Sequence, residues 1–514
     1  MDIHETNEYI LGIDIGTSSC KSVLYTLDGT AAASASCAYP TYYGKNGEAE
    51  QEAKDWWDAV CLNARTIVRE RPGCERRIAA IGIDSQGSVM LPLSSSGETL
   101  ERAMLWMDRR SGEQCAWINR HITQEKLSEI NGNHNDPGNV APKILWYKEK
   151  RPELYEKTAV IHNATGYIVY KMTGEHSCNR TEAGLTQLYD GAGDRWSEEL
   201  ISAHGLKASL FPRLYDSFEI VGRLTAGAAE SMGLVSGIPV VAGAMDATAS
   251  TVGCGATENG QAVVTGGTVT GIALCSDRFV RQNIAHVYRH VVPNTWLYCS
   301  SVDFGGGSLR WLKEKLLSEE KECTYAEINE AAKKVRPGSE ELLFLPYMVG
   351  QRCPEWDSSM TGVWFGLKPY HGTGHLIRSV MEGTAFGVRK IAELMEEAGL
   401  SPERLSITGG CANSELWLSI FADVLQRKVY RLEQREAAVA GAMMVAGVGV
   451  GAFADFREAV ASVQAAEIES HPENFEIYDE LYAVFQKLYP ALKEPFRELA
   501  SVRENGHAQK CAPQ

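Results

Sequence analysis

Basic residues are in deficit: Lys and Arg number 50 against 66 Asp and Glu, a formal charge of −16. That balance argues against non-specific binding to nucleic acid or to an anionic membrane. A nucleotide stays admissible, because a local ring of N–H groups and a divalent cation can offset the global sign. Cys-x-x-Cys spacing is absent. The 13 cysteines are odd in number and scattered, which weakens zinc and thioredoxin-type readings. No signal peptide is read in the acidic N-terminus, so reduced thiols and a cytoplasmic location are expected. A Leu-rich membrane span is also missing. The 18 uncharged residues Ala437 to Ala454 are rich in Ala and Gly and read as a buried helix and loop.

What is present is length and glycine. At 514 residues the chain is too long for one core, so two or more domains are expected. The organising stretch is Tyr9 to Gly29. An apolar run, Tyr9 to Ile13, predicts a buried strand. A turn at Gly16, Thr17, Ser18 and Ser19 follows, then a second strand over Val23 to Leu27 that leads into the hairpin signal Asp28-Gly29. A glycine turn with three hydroxyls suits phosphate oxygens, and Asp14 beside it suits the magnesium of a nucleotide. A plain hairpin with a solvated Asp14 is the competing reading.

Ile78 to Ile83 reads as a second buried strand, ending in Asp84, Ser85, Gln86 and Gly87, where open α/β sheets place ligands. The cluster Trp106, Asp108 and Arg109 offers a polyol an indole face for its C–H surface and charged groups for its paired hydroxyls. A helix start with Asp108 near the N-cap and a surface Arg pair accounts for it equally well. Pro142 to Trp146 opens an amphipathic stretch read as structural. Pro239 to Ala247 is again an apolar strand, a glycine and a carboxylate. Asp246 there suits a general base towards a hydroxyl, an N-cap, or both.

The chain then repeats itself. Ala262 to Leu274 is strand, Gly-Gly-Thr turn, strand, matching the opening about 250 residues earlier, so Gly267 and Thr268 echo Gly16 and Thr17. Gly305 and Gly306 form a third turn, leading into a helix over Leu309 to Leu317, a phosphate site by dipole and free N–H groups. His371 and His375 have metal-like spacing, but Gly372 and Gly374 place them in a loop. A helix is predicted from Leu376 to Glu397. After the strand Leu405 to Thr408, the turn Gly409, Gly410, Cys411, Ala412 and Asn413 lets a flat base or ribose rest on backbone, with Asn413 to bond its polar edges.

These pieces in this order resemble the FGGY family of carbohydrate kinases over about residues 9 to 490. The most specific match is Gly362-Val363-Trp364-Phe365-Gly366-Leu367, then seven residues, then His375-Leu376 and Ser379-Val380-Met381-Glu382. An earlier signature around Lys143 to Trp146 fits loosely, with Tyr147 and Val140 departing from it. The resemblance implies an α/β fold of two ribonuclease-H-like, actin/hexokinase-type domains around a cleft where ATP and sugar meet. On that basis residues 1–254 form an N-terminal domain with the sugar site, 255–490 a C-terminal domain with the nucleotide pocket, and 491–514 a tail.

The resemblance also assigns roles. Asp14, with Asp246, would hold Mg2+, and Asp246 would take the proton from the sugar hydroxyl. Gly16, Thr17, Ser18, Gly267 and Thr268 would surround the phosphates of ATP. Gly305, Gly306, Gly409, Gly410, Cys411 and Asn413 would line the nucleotide pocket, and Gln86, Trp106, Asp108 and Arg109 would meet the substrate. A homodimer is expected from the family likeness alone. Layout is most similar to the pentulose-kinase branch, but Ser88 stands where xylulokinases have His and Ala247 where they have Asn. An Arg-Glu pair of glycerol-kinase type is absent at Gly87-Ser88. D-xylulose is therefore the leading substrate, with ribulose, gluconate, erythritol and the autoinducer-2 diketone as alternatives. An actin-like ATPase or binding protein is the reading from another class.

Overall fold

The computed structural model describes residues 8–318, 323–432 and 436–508. It divides into two compact units that do not meet at a single cut. The first runs to Asn259 and also takes in Cys275–Leu297 and Glu436–Val463. The second comprises Gly260–Leu274, Tyr298–Arg435 and the chain from Gln464 onward. The units interleave along the chain where a single division at residue 254 does not, and for residues 436–463 the reason lies in how the first sheet is covered.

That sheet contains β1 (Tyr9–Ile15), β2 (Ser19–Thr26), β3 (Ala31–Ala38), β4 (Ile78–Ser85), β5 (Ile220–Arg223) and β6 (Pro239–Val241), in the order β5-β6-β4-β1-β2-β3. β1 to β3 are antiparallel neighbours, whereas β4 runs parallel to β1. Strand side chains alternate between faces. Leu11, Ile13 and Ile15 share a core with Trp56, Val60 and Ile67 of the helix Ala53–Glu70. Ile10 and Ala80 instead share one with Val439, Met443 and Ala446 of the helix Ala437–Gly449.

This second helix is the uncharged stretch read from the sequence, and its small residues have a physical cause. A Cβ on Gly12 would lie 2.7 Å from the Val439 carbonyl oxygen, and one on Gly82 would lie 2.0 Å from that of Ala442. On the helix itself, a Cβ on Gly441 would lie 1.9 Å from the carbonyl oxygen of Ala249, in the helix Asp246–Gly253. Backbone lies against backbone on both sides, and only glycine permits that approach.

The second unit holds β7 (Gln261–Gly266), β8 (Thr270–Ser276), β9 (Trp296–Val302), β10 (Arg404–Gly409), β11 (Lys428–Leu432) and β12 (Ala465–Ile468), in the order β9-β8-β7-β10-β11-β12. The hairpin β7–β8 is antiparallel and β10 runs parallel to β7, the same arrangement as β1–β2 with β4. The sequence repeat is thus a repeat of topology. Local boundaries differ from expectation in three places. The helix after the third glycine turn starts at Gly305, four residues early. The helix Thr373–Glu397 includes His375, which is therefore not in a loop: its Nδ1 accepts from Gly372 N at 3.0 Å and caps the helix. Most of the expected tail continues the helix Phe475–Ala508, and residues 509–514 lie outside the described ones. No described helix is long and apolar enough to cross a membrane.

Replacing Gly82 with Ala should lower stability by roughly 1–3 kcal/mol or more, because the new methyl must push a helix backbone off the sheet. Gly112→Ala is the control, since a Cβ there meets nothing within 4 Å. A G82A variant that melts with wild type would refute the close approach.

Candidate functional site

The first unit gathers carboxylates at one end of its sheet. Asp14 and Asp84 are register partners on the parallel strands β1 and β4, so both point to the same face on adjacent strands. The tripeptide Gly-Ile-Asp occurs at both places, at 12–14 and 82–84. Asp84 is fully buried, and apart from the Asp14 carboxyl no group reaches either of its oxygens. Burial pushes Asp14 up to about 6; a side-chain hydrogen bond shared with Asp84 opposes the rise, Glu436 adds to it and Lys21 opposes it. Asp84 is raised well above the usual carboxylate range by burial and by Asp14.

Asp246 joins them from the first turn of the helix Asp246–Gly253, where its Oδ1 accepts from Ala247 N at 2.6 Å. Burial and then the Asp14 charge push it up to about 7. Asp14 and Asp246 keep part of their surface open, whereas Asp84 does not. Beneath Asp246 lies a buried network. Glu182 accepts from Asn179 Nδ2 at 2.6 Å and from Ser85 Oγ at 3.3 Å, and Thr181 Oγ1 accepts from Met245 N at 2.8 Å. Burial pushes Glu182 up to about 8.

The carboxylates fit a divalent cation. Two buried oxygens of Asp84 lack any donor apart from the Asp14 carboxyl, and two ionised carboxylates side by side need a shared proton or a cation between them. Among the described residues no three ligating side chains form a closed cage. Such an ion would keep positions for water and phosphate oxygens, as magnesium does.

The first Gly-Thr turn is braced on several sides. Gly16 N donates to Ser19 O, and Gly16 O accepts from Tyr39 Oη. Thr17 O accepts from Gln51 Nε2 at 2.7 Å, and Thr17 Oγ1 from Trp106 Nε1 at 3.2 Å. Ser18 is exposed at the tip. That indole bond ties the Gly-Thr turn to the loop of Trp106, an unanticipated link. Trp106 remains 41% exposed. Gln86 is buried behind it, donating to Gln51 Oε1 at 2.9 Å and leaving its own Oε1 without a donor.

Two members of the cluster differ from the sequence reading. Asp108 does not face a substrate: it is fully buried, accepting from Ala49 N at 2.8 Å and from the Arg110 guanidinium at 2.6–3.0 Å. The carboxylate that partners Arg109 is Asp136, which accepts from both terminal nitrogens, at 2.5 and 2.9 Å. Lys143, read as structural, is fully buried. It donates to Ser88 O at 3.0 Å and Leu105 O at 2.7 Å, and so clamps the two loops that carry Gln86 and Trp106. Ser88 itself donates to Gly138 O at 2.6 Å.

The second unit holds a separate cavity of ≈ 290 Å³. Gly266, Gly267, Thr268, Gly306, Gly410, Cys411 and Asn413 line it, with Tyr325, Asn329 and Trp417. Its walls are close-set. A Cβ on Gly306 would lie 2.1 Å from Gly267 O, and Gly409 adopts φ +79° with no room for a side chain against Gly266 O. Gly305 does not line the cavity but packs on Thr270 and Thr384. The helix N-terminus offers fewer free donors than expected, because Gly306 N donates to Thr270 Oγ1 and Gly307 N to Thr268 O.

Known proteins share this layout. The model of the FGGY family of carbohydrate kinases, N-terminal domain, matches residues 9–253, and its C-terminal domain counterpart matches residues 262–450. A xylulose kinase of Bacillus subtilis is 29% identical over 503 residues, 97% of this chain and all of that protein. A gluconokinase of the same organism is 27% identical, over 96% of this chain and 98% of its own. The crystal structure of xylulose kinase from Rhodospirillum rubrum superposes with a TM-score of 0.91 at 27% identity, covering 95% of this chain and all of that one. With two repeated α/β units and both family domains matched in order, the chain belongs to the FGGY family of carbohydrate kinases.

Proposed function

We propose that this carbohydrate kinase transfers the γ-phosphoryl group of ATP to a hydroxyl of a small ketose, with a pentulose such as D-xylulose as the leading acceptor. The observation that carries the reading is Asp246, a partly open carboxylate whose proton affinity is raised to about 7. A general base works best when its pKa lies near the working pH. Asp246 takes the hydroxyl proton as the oxygen attacks, and the Glu182 network holds its helix in place. Trp106 covers the C–H face of the acceptor, and the unpartnered Gln86 Oε1 accepts from one of its hydroxyls. Asp14 and Asp84 would hold magnesium, which when bound supplies positive charge to the phosphate oxygens. In the first unit Thr17 offers a hydroxyl to phosphate oxygens, and the cavity of the second unit, with Thr268 in its lining, takes the base and ribose. Xylulose kinase relatives along the whole chain support a ketopentose, and gluconokinase relatives keep the aldonates in the test.

ADP release with ATP and magnesium against D-xylulose, L-xylulose, both ribuloses, erythritol, gluconate, glycerol and a no-sugar blank should show one acceptor well above the blank. Equal hydrolysis in every well would mean an actin-like ATPase instead. Asp246→Asn should reduce turnover by about 10²–10⁴-fold while nucleotide still raises the melting temperature. In wild type, kcat/KM should rise with pH through about 7 as Asp246 ionises. Retained turnover in D246N would remove Asp246 from the base role.

Stability should move the opposite way. Asp14, Asp246 and Glu182 bind protons more tightly folded than unfolded. The folded state thus holds the extra protons between about pH 4 and pH 8, and stability falls as pH rises through that window. Burial pushes His162 and His290 down to about 3 and Lys143 down to about 7, and these groups act in the opposite sense, so the carboxylates are isolated by difference. Without divalent cation, the melting temperature of wild type relative to Asp84→Asn should fall between pH 5 and pH 8. A constant difference would contradict the crowded-carboxylate picture.

A further inference from the structure

The charges around the acceptor loops are already matched, and the match bears on which sugars can enter. These loops carry three cations. Arg110 is buried against Asp108 and Glu50, at 2.6 and 2.7 Å. Lys143 is buried against the carbonyls of Ser88 and Leu105. Arg109 alone reaches the surface, with 51% of its side chain exposed, and Asp136 grips it through two parallel bonds. The grip is built in. Asp136 also accepts from Gly138 N at 2.7 Å, Ser88 Oγ holds Gly138 O, and Ser111 Oγ holds Pro137 O at 2.8 Å. A Cβ on Gly138 would lie 2.5 Å from the Trp106 carbonyl oxygen, so the segment lies against the indole's own backbone.

The guanidinium that could pair with a carboxylate on the substrate is therefore occupied, two-pronged, by one from the protein. His286 is a second basic group felt at Asp136, and the carboxylates Asp14, Asp84 and Asp246 gather at the end of the same unit's sheet. Building on the kinase reading above, we propose that the Arg109–Asp136 pair is a specificity device that admits uncharged polyols and ketoses and rejects aldonates. A sugar acid entering here must either displace Asp136, leaving it without its guanidinium, or place its own charge there without a partner. Either route disfavours the acid, which is discrimination by an unfavourable contact with the wrong substrate. An uncharged ketose meets neither cost and can use the outer edges of the pair as hydrogen-bonding groups.

The test compares kcat/KM for D-xylulose or the best neutral acceptor with that for D-gluconate, in wild type, Asp136→Asn and Arg109→Met. Wild type should favour the neutral acceptor by roughly 100-fold or more. Asp136→Asn keeps the shape but frees the guanidinium, so the ratio should shift towards gluconate by roughly 10-fold, mainly through a lower KM for gluconate. Arg109→Met should not gain gluconate activity. Gluconate turned over in wild type within a few-fold of the best neutral acceptor would overturn the proposal while leaving the kinase reading intact. So would parallel losses on both substrates in D136N, the mark of a merely structural pair. If no acceptor raised the rate above the blank, the kinase reading itself would fail, and the proposal with it.

Discussion

Two carboxylates set side by side on adjacent parallel strands cannot both be ionised without a counter-charge, and much of the first unit follows from that constraint. The β1/β4 register puts Asp14 beside Asp84, and Asp246 approaches from the next helix. Burial removes the water that would otherwise screen them. Protonation or a cation must then supply what water does not. Burial, and then the Asp14 charge, raise Asp246 towards the neutral range, which suits the base role proposed for it. One arrangement of like charges thus accounts for both the proposed metal position and the proposed proton acceptor. Lys21 offsets this field only in part, while Arg109, Arg110 and Lys143 are held by other partners.

The legible parts of this site are those whose chemistry is local in sequence. A strand that ends in a glycine turn with hydroxyls announces itself within ten residues, which is why Asp14, Gly16, Thr17, Gly267 and Thr268 could be singled out. Asp246 was readable for the same reason. Asp84 was named only among four strand-end residues and given no role, because its meaning comes from a register partner 70 residues away. The recurrence of Gly-Ile-Asp was the available signal. Asp108 and Asp136 show the opposite failure. Adjacency to Trp106 and Arg109 suggested a ligand, but the backbone turns the Asp108 side chain inward onto Arg110. The true partner of Arg109 comes from a loop 27 residues later, with no pattern to mark it. Glu182 and Lys143 sit in segments of ordinary composition, and only burial reveals that they are unusual.

The fold was legible in class and in repeat, less so in how the chain is shared out. Strand–turn–strand appears twice in sequence and twice in topology. Hydrophobic runs cannot tell which sheet a distant helix will cover. The helix Ala437–Gly449 carries no charge to orient it, and its small residues read as burial without an address. The address is written in Gly12 and Gly82, whose missing side chains make the groove that receives it.

That helix has a consequence for how the protein comes into being. The strands β1 and β4 leave the ribosome about 420 and about 350 residues before their cover does, which at about 5–20 residues per second is a wait of tens of seconds. Until then Ile10, Ala80, Val241 and Ala244 lack the partners that Val439, Met443, Met444 and Ala446 supply on that face. The nascent chain must therefore either hold this apolar face by other contacts or hand it to a chaperone. A message cut short before codon 437 would yield no smaller working enzyme, only an uncovered sheet prone to association.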